Sequence, residues 1–144
     1  MRHGGETGER GSVAVFTVLF SVAVLILVGL LVDGGGAINA RLRAADIAEQ
    51  AARAGADSID VDHLRATGKV RILDDGEACT KAGAIVGAHA DASAVLASCA
   101  VGDGAQDVTV TVTLTWKAYF LTIIGFGGGT MEATATAGPR TGQG

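Results

Sequence analysis

An α+β fold is the class this sequence predicts: a single membrane-spanning helix, a linker helix, then a small antiparallel sheet of about three or four strands with one short helix. Three observations predict it. The run Ser12–Val32 carries no charge. The polar residues that follow it recur at helical spacing. Asp107–Trp116 reads DVTVTVTLTW, a strict alternation of apolar residues with threonine. With 144 residues, 22 of them glycine, there is room for one domain and an appended segment, which excludes a large multidomain enzyme. Eleven basic residues against fifteen acidic ones give a net charge of -4. A phosphate backbone needs concentrated positive charge, so nucleic acid is not the expected partner.

Residues 1–11 are polar and Gly-rich, as in a disordered cytoplasmic tail. The span, 12–32, contains only Ser12, Thr17 and Ser21 as polar residues. As a helix it is about 31 Å long, the thickness of a hydrocarbon core. A retained anchor is the reading adopted. A cleaved signal peptide, with Gly35 and Ala37 near the cut, and a buried soluble helix are its rivals. The remaining chain has too little apolar mass to cover such a helix on every side. Asp33, Gly34, Gly35 and Gly36 follow. Three helical glycines cost roughly 3 kcal/mol relative to alanine, so a break or hinge is expected where the chain leaves the membrane. Asp33 suits a cap or an interfacial acid.

The linker region is 33–60. Asn39, Arg43, Asp46, Gln50, Arg53 and Asp57 form one polar stripe, and Ile38, Leu42, Ala45, Ala52 and Ile59 an apolar one. The alanines permit close approach of a sheet, another helix or a second copy. An extracytoplasmic α+β domain occupies 61–138, followed by a disordered tail, 139–144. Within the domain a short strand is expected at Lys69–Leu73, a short helix from Glu77 to about Ala90, and strands at Ser93–Val101, Asp107–Trp116 and Met131–Ala137. In the second of these Val108, Val110, Val112, Leu114 and Trp116 face the core and the threonines face water.

Cys79 and Cys99 both lie beyond the span. An even pair in a small exported domain suggests a disulfide and an oxidising compartment; two free buried thiols are the alternative. Basic residues do not orient the span, since Arg2 and Arg10 precede it and Arg41 and Arg43 follow it. The cysteines favour a cytoplasmic amino terminus and an extracytoplasmic remainder. Between the last two strands lies KAYFLTIIGFGGG, a connection where polar residues are the norm. Trp116, Tyr119, Phe120, Leu121, Ile123, Ile124 and Phe126 make it a candidate contact with the membrane surface or a partner, and closure of the domain's own core is the alternative. Its glycines read as flexible loop.

The inventory for chemistry is thin. Cys79, His89 and Cys99 lack the close paired spacing of zinc motifs. Asp60, Asp62 and His63 read as exposed loop residues, and His3 lies in the tail. There is no nucleophile elbow, phosphate loop or HExxH. No catalytic residue, metal site or cofactor is expected, and the chain reads as non-enzymatic.

The order of these segments resembles the TadE/TadG-like proteins of tight-adherence (Flp-type) pilus assembly, in their actinobacterial form. The resemblance is carried by Glu9-Arg10-Gly11-Ser12-Val13-Ala14-Val15-Phe16 running into the span, by Val32-Asp33-Gly34-Gly35 at its exit, by RLRAADIAEQAARAGA, and by VTVTVTLTW, the apolar loop and TMEATATA. It implies a single-pass cell-membrane protein with a pilin-like arrangement, pseudopilin-like or TadG-like, acting in assembly of a pilus or related secretion apparatus. Its implied partners are the membrane, other membrane proteins of that system and further copies of itself. Prepilin-like members carry a glycine processing site and a glutamate five positions beyond it. Counting from Gly11, that place holds Phe16, which favours the uncleaved TadG-like variety. A membrane-tethered binding or sensing module that uses residues 118–126 is the rival reading.

Overall fold

The computed structural model describes residues 7–89 and 93–140. One helix, α1, runs without interruption over Thr7–Ala56, 50 residues and about 75 Å. The break expected at Gly34–Gly36 is therefore absent. Glycine lowers helix propensity but leaves the backbone hydrogen bonds intact, and the flanking residues are held in a helix from both sides. Anchor and linker are one element. The helix also begins inside the expected 1–11 tail, whose residues 1–6 lie outside the described residues, as do 141–144 of the expected 139–144 tail.

Two short helices follow: α2, Val61–Thr67, and α3, Asp75–Ala88. Each is opened by an aspartate with extended backbone. Asp60 accepts from the His63 N–H at 2.9 Å, and Asp74 from the Glu77 N–H at 3.1 Å. Asp60, Asp62 and His63 thus belong to a capped helix and its cap rather than to a loop. Lys69–Leu73 is not a strand. It contributes a single antiparallel bridge, Ile72 with Ile59. Ala90 lies outside the described residues.

The sheet has three antiparallel strands in the order β1 (Ala94–Val101), β2 (Val108–Lys117), β3 (Gly128–Ala137). The α+β class and the antiparallel sheet are as the sequence predicts. β2 is central. Val108, Val110, Val112 and Leu114 are buried on one face. On the other, Thr109 pairs with Thr136 and Thr111 with Thr134, hydroxyl to hydroxyl at 2.9 Å. The register shifts between Leu96 and Ser98 in β1. This bulge moves the inward positions from Ala94 and Leu96 to Cys99 and Val101, all of which pack on the core.

The second half of α1 lies across β2 and β3, while α3 covers β1 and touches α1. The face α1 buries consists of Ala40, Ala44, Ile47, Ala48, Ala51, Ala52 and Ala56. The expected apolar stripe is only partly right: Ala52 is buried, but Ile38 and Leu42 are each 64% exposed. Size decides it. At Gly55 an added Cβ would stand 3.1 Å from both the Ala78 carbonyl oxygen and Val108 Cγ1, so the helix axis sits too close to its neighbours for large side chains.

Candidate functional site

The apolar connection between β2 and β3 is folded. After Lys117 the chain makes a 3-10 turn, Leu121–Ile124, closed by Gly125 in the left-handed region (φ 90°). Gly128 and Gly129 are not loop but the start of β3, paired with Lys117 and Trp116. At Gly128 φ is 120°, and a Cβ there would run into the Trp116 carbonyl oxygen.

The turn is fastened to α1 through one carboxylate. Asp33 is 1% exposed. Its Oδ1 accepts from the Tyr119 N–H at 2.8 Å, and its Oδ2 from the N–H groups of Phe120 at 3.0 Å and Leu121 at 2.7 Å. These are the unpaired donors that begin a helical turn, here satisfied by an acid from a distant element.

Glycines on either side of Asp33 complete the attachment. Gly29, Asp33 and Gly36 are spaced four and three residues apart, on one helix face. A Cβ at Gly29 would come within 2.9 Å of Phe120 Cβ, so the Phe120 side chain occupies the place a larger residue would fill. The Trp116 ring lies 3.9 Å from the corresponding point at Gly36. Trp116 also packs against Phe126, ring centres 6.2 Å apart, and its buried Nε1 has no hydrogen-bond partner among the described residues. Gly34 and Gly35 point into open space. The four expected hinge residues therefore divide: Asp33 meets the turn, Gly36 faces Trp116 at the end of β2, and Gly34 and Gly35 meet nothing.

Tyr119, Phe120, Ile123, Ile124 and Phe126 remain exposed, Ile123 at 83% and Ile124 at 78%. The core does not absorb them. Asp33 as the clasp and Gly29 as the seat were not identified from the sequence. The available signal was an acid at the end of an apolar run with small residues at helical spacing on both sides of it.

Cys79 of α3 and Cys99 of β1 form a disulfide, Cα atoms 5.7 Å apart. The β1 bulge is what turns Cys99 toward α3. His89 caps the end of α3. Asp60 pairs with Arg71 at 3.0 Å. No group of three metal-ligating side chains occurs among the described residues.

The first half of α1 stands apart from this assembly. From Gly11 to Val28 every residue is exposed, and the helix is long and apolar enough to cross a membrane. Residues 11–58 match the family model Tad, described as "Putative Flp pilus-assembly TadE/G-like". The segment is similar to the TadE/G-like family. The match covers a third of the chain and ends two residues beyond α1, so the matched segment comprises the exposed span, the Asp33 clasp and the Ala-rich face under the sheet. The resemblance to TadE/TadG-like proteins of Flp pilus assembly is borne out over these residues. No curated protein and no solved structure matches the chain.

Proposed function

We propose that this protein is a non-enzymatic, membrane-anchored component of Flp/Tad-type pilus assembly or a related secretion apparatus. The observation that carries the reading is the coincidence of the TadE/G-like segment with one continuous helix, exposed where it is long-chain aliphatic and buried where it is alanine. Such a helix transmits the position of a membrane anchor rigidly to the domain packed on it. The amino terminus is cytoplasmic and the domain extracytoplasmic, because the Cys79–Cys99 bond belongs in an oxidising compartment. With Phe16 where the prepilin pattern needs glutamate, the chain stays uncleaved at Gly11.

The test is genetic and biochemical. Deleting the gene is expected to remove surface pili, and the tagged full chain to restore them and to co-purify with the system's other membrane proteins. After reduction, a membrane-impermeant thiol reagent is expected to label both cysteines from outside intact cells. Normal piliation in the deletion strain would overturn the assembly role. Labelling only after lysis would overturn the orientation. The exposed turn at Ile123 and Ile124 favours a second reading, a tethered module that captures an envelope ligand. It predicts unchanged pili and a bound soluble ligand instead.

A further inference from the structure

The geometry points to a second membrane contact in this chain: the apolar turn 119–126 is immersed in the lipid leaflet beside the span, set at its depth by Asp33 and Gly29. The inference rests on the reading that residues 12–32 cross the membrane. Phe120 packs on Gly29, and Gly29 lies four residues inside Asp33, about 6 Å along the helix axis. Position 29 is within the uncharged run that fills the hydrocarbon core. Whatever is fixed against it shares its depth, near the edge of that core.

The chemistry of the turn fits lipid. In water Tyr119, Phe120, Ile123, Ile124 and Phe126 would leave a contiguous apolar cap uncovered. Beside the span they continue an apolar surface that already faces acyl chains. The usual bar to irregular backbone in a bilayer is its unpaired N–H groups. Here Asp33 takes those of Tyr119, Phe120 and Leu121. Those of Ile123, Gly125 and Phe126 bond to carbonyls of Phe120, Thr122 and Leu121 within the turn. The Thr122 hydroxyl donates back to the Ala118 carbonyl at 2.6 Å. The same contacts satisfy the acid, which explains how an aspartate is accommodated at the end of the span. Tyr119, exposed at the start of the turn, is one of the aromatic types enriched at membrane interfaces.

The experiment uses the full chain in vesicles of phosphatidylcholine and phosphatidylglycerol. A nitroxide is attached in turn to Ile123→Cys, to Leu25→Cys in the span and to Lys81→Cys on exposed α3. The native cysteines are bonded to each other and do not compete for the label. Collisions with oxygen report lipid, and collisions with a water-soluble nickel chelate report solvent. Position 123 is expected to lie in lipid but shallower than position 25, with an oxygen-to-nickel ratio below that at 25 and severalfold above that at 81. A ratio at 123 like that at 81, with 25 still in lipid, would overturn the inference and leave the anchor standing. An aqueous reading at 25 would remove the anchor, and the inference with it. Spin–spin broadening at 123 that persists on dilution with lipid would mean that a second copy covers the turn, and would also overturn it. Gly29→Leu keeps the span apolar but fills the Phe120 seat. It is expected to raise nickel collisions at 123 severalfold with 25 unchanged, and no change would sink the positioning role of Gly29.

Discussion

The two halves of α1 are made of different residues for the same physical reason. From Val13 to Val32 the side chains are mostly Val, Leu, Ile and Phe, and they are exposed. From Ala40 to Ala56 the buried positions are alanine, with one isoleucine and one glycine, Gly55. A helix facing fluid acyl chains can carry bulky groups, since lipid rearranges around them. A helix laid on a valine-rich sheet must be small, because close-packed interiors do not rearrange. Large hydrophobic residues thus mark where this helix is unpartnered by protein, and small ones where it is partnered. Asp33 stands at the change.

The first way to sharpen that contrast is to loosen the buried half from behind. Replacing Cys79 and Cys99 together by alanine releases a cross-link of separation 20. It is expected to lower the domain's stability by about 3 kcal/mol. Circular dichroism in detergent should show the span still helical after the domain has melted.

Exchanging the two chemistries comes next. Ala51→Leu places a large side chain at a fully buried position, and overpacking of this kind is expected to cost about 2 kcal/mol. Leu25→Ala in the exposed half should leave the domain's unfolding midpoint unchanged. Denaturation followed by the fluorescence of the single tryptophan, Trp116, measures both. Equal effects would break the comparison.

A smaller gain is expected at the junction. Gly35 is helical and points into open space, so Gly35→Ala should stabilise the chain by about 1 kcal/mol. A loss at this position would restore the hinge that the glycines first suggest.

The smallest effect is electrostatic. The His63 N–H holds the Asp60 carboxyl below 3.8 against the opposing influence of burial, with help from Arg71. A depressed folded value means stability that is present above the unfolded value of 3.8 and is lost as pH falls through the folded one. Acid titration of the unfolding midpoint should show this loss, and Asp60→Asn should flatten it. Asp60 lies outside the span, so the helicity of residues 12–32 should not follow the same curve.

Local pattern carried much of the fold. The alternation of Val108–Leu114 with threonine assigns β2 and its buried face by itself, because a strand's period of two leaves no other arrangement. The uncharged run of 21 residues assigns the exposed half of α1 in the same way. Where two signals conflicted, the local one misled. Gly34–Gly36 read as a break, Ile38 and Leu42 as members of one apolar stripe with Ala52, and Asp60–His63 as loop.

Only the tertiary structure decided the rest, since each remaining feature depends on a partner distant in sequence. The bulge between Leu96 and Ser98 directs Cys99 to Cys79, and no pattern in β1 announces it. The alanine face outcompetes Ile38 and Leu42 because the sheet and α3 set how closely the helix must approach. Asp33 meets Tyr119–Leu121 across more than 80 residues, with the nearest of those bonds at a separation of 86. Sequence by itself determined where this chain is apolar and with what period. Which apolar surface is covered, and by what, is a property of packing, set by side-chain volume and by where each backbone donor finds its acceptor.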